Sequence, residues 1–96
     1  MSKLKNSETD RLFEAFLNVR SVDEFYDLFE DLCTVKEIRD MSQRFHVASL
    51  LSKGCSYQKV SELTSVSSAT ISRVKRCLDY GAGGYAAALE RLEEKK

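Results

Sequence analysis

Apolar residues recur at intervals of three and four through most of this chain, and polar residues fill the positions between them. This spacing is typical of amphipathic helices, each with one apolar face. Proline is absent, and the glycines lie at Gly54 and between Gly81 and Gly84, where they favour helix ends and turns. The pattern therefore predicts an all-α fold of five to six helices.

The first half of the chain is predicted to contain three helices, the longest running from about Val35 to Ser52. This long helix is apolar on more than one side, and a chain of 96 residues can hardly cover both sides by itself. We therefore expect it to pack against a second copy in a closed two-fold homodimer. The expected helix starts are Ser7 with Asp10, Ser21 with Glu24, and Thr34 with Glu37. The shorter helices carry apolar stripes that we interpret as core: Leu12, Phe13, Phe16, Leu17, Phe25, Tyr26, Leu28, Phe29 and Leu32.

Residues 56–78 are the most informative segment, because two helices joined by so short a turn indicate a helix-turn-helix. Ser56 and Ser67 are expected to cap the two helices. Ser65 stands at the turn position that often carries glycine, so a positive φ there would strain the backbone. The alternative interpretation is a hairpin at one corner of an all-helical core, with the arginines as its solvated face. The side chains predicted to face inward are Val60, Leu63, Val66, Ile71, Val74, Cys77 and Leu78.

Charge is divided unevenly along the chain, although the formal net charge is +0. Residues 1–32 carry four cations and eight acids, whereas residues 51–80 carry five cations and two acids. This basic segment coincides with the helix-turn-helix, which favours double-stranded DNA as the partner. Short polar side chains early in the second helix suit base edges, and the later cations suit phosphates. The predicted DNA-binding residues are Ser56, Gln58, Lys59, Ser67, Ser68, Ala69, Thr70, Ser72, Arg73, Lys75 and Arg76.

Metal and catalytic chemistry are not indicated. Cys33, Cys55 and Cys77 are odd in number and form no C-x-x-C, so we expect reduced, mostly buried thiols and neither a disulfide nor a zinc site. His46 lies alone on an apolar helix and is interpreted as a satisfied structural residue. No nucleophile and base stand at a recognisable spacing, and no glycine-rich phosphate loop is present. The chain is therefore not expected to be an enzyme or to hold a metal or a cofactor.

The end of the chain is predicted to form a short helix over residues 84–94. No apolar run approaches about 18 residues, and the charged N-terminus lacks a signal-peptide pattern, so we expect a cytoplasmic protein without a membrane partner. Residues 1–96 are expected to make one domain. Its predicted parts are dimerisation helices in 1–53, the helix-turn-helix in 56–78 and the C-terminal helix in 84–94.

Three segments give the chain a family resemblance: Thr34 to Ile38 (TVKEI), Gly54 to Gln58 (GCSYQ) and Ser67 to Arg73 (SSATISR). The chain resembles the bacterial Trp repressor superfamily, and within it the small Trp-repressor-like members of the YerC/YecD type. The resemblance implies an intertwined all-α homodimer that binds operator DNA and represses transcription. It also implies two reading heads on a shared core, set at the spacing of successive major grooves, about 34 Å.

The resemblance carries over the family's tryptophan pocket only in part. Arg44 and Arg73 match the arginines that hold the indole ring, and Thr34 matches a backbone contact to the ligand's ammonium group. Val74, however, replaces a glycine that leaves room for the ring, and Cys77 replaces a serine. Because a branched side chain would fill the ring's space, tryptophan is not expected. A different small-molecule corepressor and the absence of any corepressor both stay open, as does a structural role for the two arginines.

A second function class is compatible with the same sequence. A ligand-sensing or protein-interaction module could keep this helical fold without reading DNA, which would account for the zero net charge. Binding to a random-sequence duplex at low salt distinguishes the two classes, because a working basic face normally gives non-specific affinity.

Overall fold

The computed structural model describes residues 3–94 and contains six α-helices, with no strand in that part of the chain. The prediction of an all-α fold is confirmed. Two compact units are present, Met1–Val35 and Lys36–Lys96, and the single domain over residues 1–96 stays a prediction. Met1, Ser2, Lys95 and Lys96 belong to that prediction but lie outside the described residues. The helices are α1 (Ser7–Leu17), α2 (Val22–Leu32), α3 (Val35–Ser52), α4 (Tyr57–Thr64), α5 (Ser68–Tyr80) and α6 (Gly84–Glu94).

The N-terminal caps of α1 and α2 show how locally these two helices are specified. Asn6, in extended backbone, accepts a hydrogen bond from the Thr9 N–H at 2.8 Å. Asn6 therefore caps α1, which begins at Ser7. The capping side chain lies one residue before the predicted Ser7, because asparagine and serine cap about equally well and spacing alone does not separate neighbours. In α2 the predicted cap is confirmed, since the Ser21 hydroxyl accepts from the Glu24 N–H at 3.1 Å.

Four phenylalanines of α1 and α2 form a ring cluster, the Phe cluster (Phe13, Phe16, Phe25 and Phe29). The centroid of Phe16 lies 5.9 Å from that of Phe13, 6.0 Å from Phe25 and 5.5 Å from Phe29. Neither helix nevertheless contains a buried residue, and the side chain of Leu17 is 85% exposed. The apolar stripes that we interpreted as core thus contact each other, but none of their side chains is fully buried within the described chain.

The second unit has a complete small core where α3, α4 and α5 meet. Val47 and Ala48 of α3 are 0% exposed. Val66, in the turn between α4 and α5, is buried as predicted. Tyr85 of α6 packs against the edge of this core, and its ring centroid lies 6.2 Å from that of Phe45. The core side chains are Val47, Ala48, Val60, Val66, Ile71 and Val74.

Two side chains of the helix-turn-helix do not face inward as predicted. Leu63 is 54% exposed, because α4 turns only Val60 into the core and Leu63 lies about 60° around the helix from it. Cys77 is exposed as well. Cys77 lies about 90° around α5 from the centre of its buried stripe. Helical spacing alone therefore placed it near the buried face, but its side chain lies outside that face.

The thiols and the histidine are more accessible than expected. Cys33 and Cys55 are half-buried while Cys77 is exposed, so the prediction of mostly buried thiols was wrong. His46 is also exposed. Its neighbours Val47 and Ala48 occupy the inward face of α3, which turns the imidazole away from the core.

Candidate nucleic-acid interface

The turn between α4 and α5 is held by its own side chains. The Thr64 hydroxyl donates to the Val60 carbonyl at 2.7 Å and accepts from the Val66 N–H at 3.2 Å. Ser65 has φ 58°, in the left-handed region. The strain that we expected for a serine at this position is therefore present, and the Thr64 bonds help to stabilise it.

The start of α5 is built by two hydroxyl groups. Ser67 caps the helix, because its Oγ accepts from the Thr70 N–H at 3.2 Å. The Ser67 hydroxyl also donates to Thr70 Oγ1 at 3.1 Å. Thr70 is half-buried, and its two contacts with Ser67 help to hold the first turn of α5 in place. Ser68 and Ala69, in the same turn, are exposed.

One face of α5 is exposed along its whole length, and we call it the exposed row. Its members follow one another at helical intervals and include no acid: Ala69, Ser72, Arg73, Arg76 and Tyr80. Tyr80 is 86% exposed. Sequence reasoning missed this tyrosine, although its position four residues after Arg76 places it on the same face.

Two predicted contact residues are engaged by an acid one turn further along the same helix. Lys75 Nζ lies 3.2 Å from Asp79 Oδ1, and Gln58 Nε2 donates to Glu62 Oε1 at 3.4 Å. The two acids were not among the predicted site residues, although the four-residue spacing is the signal that would have identified them. All predicted DNA-binding residues are exposed except Thr70 and Lys75, which are half-buried.

The cap of α4 positions the remaining predicted residues. Gly54, with φ +94°, ends α3 as expected, and the Ser56 hydroxyl accepts from the Lys59 N–H at 3.1 Å. Ser56 is thus the N-cap of α4, while the side chain of Lys59 remains exposed. The chain therefore presents the first turn of α4 and one face of α5 to solvent.

An open cleft of about 390 Å³ lies between α3 and the start of α5. Lys36 Nζ and Asp40 Oδ2 form an ion pair there at 2.9 Å. The hydrogen bond from Lys36 lowers the pKa of the Asp40 carboxyl below its ordinary value, and the charges of Lys36, Arg44 and Arg39 act in the same direction. The residues that line the cleft are Lys36, Asp40, Gln43, Arg44, Ser65, Val66, Ser67 and Thr70.

The residues predicted for a corepressor pocket differ in their environments, and the pocket stays a prediction. Arg44 lines the cleft, and Arg73 and Cys77 are exposed. Val74 is 1% exposed and belongs to the core. Thr34 is exposed. Of this set, only Arg44 lines the described cleft.

The described residues contain neither a cluster of metal-ligating side chains nor a helix suited to span a membrane. Within residues 3–94, no three His, Cys, Asp or Glu side chains lie close enough together to hold a metal ion. No helix in the same part of the chain combines the length and the apolar character needed to cross a membrane.

Comparison with protein families and known proteins gives a consistent result. The family described as Trp repressor protein matches residues 7–93. YerC of Bacillus subtilis (strain 168), itself uncharacterized, is 46% identical over 94 residues, which are 98% of this chain and 90% of YerC. These matches confirm the resemblance that the three sequence segments indicated.

Two solved structures have the same fold. A candidate Trp repressor from Staphylococcus aureus superposes with a TM-score of 0.90 at 42% identity, over 95% of this chain and 91% of that one. A TrpR-like protein from Eubacterium eligens ATCC 27750 also gives 0.90, at 48% identity, over 95% of this chain and 94% of that one.

Proposed function

Since the chain belongs to the Trp repressor family, we propose that it is a sequence-specific DNA-binding regulator that acts as a homodimer and represses transcription. The exposed row of α5 is the observation that carries this proposal. It combines small side chains near a capped helix start with two arginines further along, and it contains no acid. A helix of this kind, supported by a buried core, suits insertion into the major groove.

The positions along α5 divide the contacts between bases and phosphates. Ser68, Ala69 and Ser72 lie near the helix start, where they would approach base edges, and the Ala69 methyl suits a thymine methyl. Arg73 and Arg76 come later and would hold phosphates. Because no long base-reading side chain is exposed near the helix start, sequence preference would depend on bridging waters and DNA shape. Thr70, engaged with Ser67, would position the helix start.

A second copy of the chain would complete the core that α1 and α2 begin. Leu17, Val22 and Tyr26 are 85%, 70% and 65% exposed, which is costly for apolar side chains unless another surface covers them. A two-fold dimer would cover them and present two copies of α5 to one duplex. Operator half-sites would then lie about 34 Å apart.

Tryptophan would not be required for DNA binding in this proposal. Val74 is packed among the core side chains, and the resemblance assigns its position to a glycine that admits an indole ring. Opening space for the ring would mean disrupting a closely packed core. The helix-turn-helix is instead held by that core and by the Thr64 and Ser67 hydrogen bonds.

The proposal is tested by titrating a random-sequence duplex with the whole protein at several salt concentrations from about 50 mM upward. Wild-type protein should bind, and Arg76→Ala should weaken binding while reducing the log–log salt slope by about 0.9 for the lost phosphate contact. Arg91→Ala on α6 removes the same charge from an exposed position. It serves as the matched control and should leave the slope nearly unchanged.

Selection of preferred duplexes from a random pool completes this test. Ser72→Ala should change the ranking of selected sequences, whereas Arg76→Ala should weaken binding to all of them. Added tryptophan should change neither. If the protein fails to bind any duplex near 50 mM salt, the proposal is wrong and the helical ligand-sensing or protein-interaction module becomes the better interpretation.

A further inference from the structure

Lys75 and Asp79 form an ion pair on the helix that we propose reads DNA. Lys75 Nζ lies 3.2 Å from Asp79 Oδ1, with 43% and 42% of the two side chains exposed. Asp79 is the one acid in the sequence of α5, SATISRVKRCLDY. Both partners remain accessible to water and ions, so a phosphate that approaches Lys75 would have to compete with this carboxylate.

The pair borders the exposed row. Lys75 follows Ser72 by three positions, and Asp79 follows it by seven, so both side chains lie along the Ser72 edge of the helix face. In contrast, no ion pair within the described residues 3–94 joins Arg73 or Arg76 to a carboxylate. Two of the three cations of α5 are therefore available to phosphates, and the third is engaged.

This difference has an electrostatic consequence for DNA binding. A phosphate that takes Lys75 from Asp79 leaves the carboxylate unpaired beside the DNA backbone, where like charges repel. The counterion release that normally accompanies a new lysine–phosphate contact is then largely offset. The effect does not depend on base sequence, because phosphates are the same at every position.

We propose that Asp79 sets the DNA affinity of this protein by withholding Lys75 from phosphates. The inference rests on the proposed DNA binding. It assigns to Asp79 the role of competing with phosphates for the Lys75 ammonium group. It predicts that the lysine contributes little to DNA binding as long as Asp79 is charged.

The test is a double-mutant cycle measured on a random-sequence duplex over a series of salt concentrations. Asp79→Asn keeps the size of the side chain and removes its charge, while Lys75→Met removes the cation and keeps an unbranched chain of similar length. The four proteins are the wild type, the two single variants and the double variant. Glu90→Gln on α6 makes the same change in net charge at an exposed position and serves as the matched control.

Asp79→Asn should bind roughly threefold to tenfold more tightly near 50 mM salt, with a salt slope steeper by about 0.9, as for one added phosphate contact. In the Lys75→Met background the same change should have little effect, and Lys75→Met alone should bind nearly as well as the wild type. Thermal unfolding of each variant checks that the fold is intact, and Glu90→Gln should match the wild type.

Three results would overturn the inference. If Asp79→Asn binds like the wild type while Arg76→Ala still weakens binding, the pair has no role in affinity although the proposed function stands. If Asp79→Asn strengthens binding equally with and without Lys75, the carboxylate acts as a general charge and does not withhold the lysine. If none of the proteins binds duplex DNA, the proposed function fails and this inference fails with it.

Discussion

The core of α3, α4 and α5 and the Phe cluster of α1 and α2 are built from similar sequence patterns but differ in how completely their side chains are buried. Both have apolar side chains at helical spacing. The first closes completely, with Ile71 and Val74 only 1% exposed, whereas Phe13 of the second remains 50% exposed. Periodicity therefore identifies which face of a helix is apolar, but the number of surrounding helices decides whether that face is buried. We interpret the closed region, the core of α3, α4 and α5, as the support for a DNA-reading helix. We interpret the open region, the Phe cluster of α1 and α2, as the place where two copies join.

The closed core is most directly broken at Ile71, the largest of its fully buried side chains. Ile71→Ala should lower the free energy of unfolding by about 2–5 kcal/mol, because it removes buried methyl groups and leaves a cavity. Urea denaturation measures this change. Leu63→Ala removes an apolar side chain from an exposed position nearby and should cost within about 0.5 kcal/mol. Equal losses for the two variants would mean that the described core is wrong.

The open region is best perturbed at Phe16, which contacts three other rings. Phe16→Ala should raise the dimer dissociation constant roughly tenfold or more, since losing about 1.4 kcal/mol of association free energy already has that effect. Sedimentation equilibrium measures the constant. Ile71→Ala should lower stability at every protein concentration, whereas Phe16→Ala should mainly change how stability depends on concentration. A wild-type melting temperature that is independent of concentration would contradict this contrast.

A smaller effect is expected at Ser65, where φ is 58°. A left-handed conformation costs an L-residue about 1–2 kcal/mol, and glycine escapes this cost but loses more chain entropy on folding. Ser65→Gly should therefore stabilise the protein by at most about 1 kcal/mol. Ser65→Val should destabilise it, because branched side chains tolerate positive φ poorly. Differential scanning calorimetry of the two variants checks the order, and a stabilising valine would mean that the turn is not left-handed.

Much of the fold could be predicted from local signals. The bounds of α3 and α6 follow from apolar periodicity together with the glycines at their ends, and both match the expected ranges. The caps at Ser56 and Ser67 were predictable because serine is among the preferred residues directly before a helix, where its hydroxyl accepts from a free N–H of the first turn. The positive φ at Ser65 followed from the geometry of the turn.

Side-chain environments were harder to predict, because they depend on neighbours that are distant in sequence. Cys77 and Leu63 lie within a quarter-turn of a buried stripe, and only the packing of α3 and α4 decides that both are exposed. Thr70 was predicted as a DNA-binding residue, but its contact with Ser67 and its half-buried position could not be read from the sequence. The pairing of Lys75 with Asp79 could be inferred from spacing, but its place beside the exposed row required the structure.

The stoichiometry of the DNA complex tests the central contrast between the two regions most directly. Sedimentation velocity would be measured for the free protein and for its complex with a short duplex chosen from a random pool. We predict that the free protein is a dimer and that one duplex binds two chains, one at each half-site. A monomeric free protein that saturates the duplex with a single chain would contradict the account, because the core begun by α1 and α2 would then have no second copy to complete it.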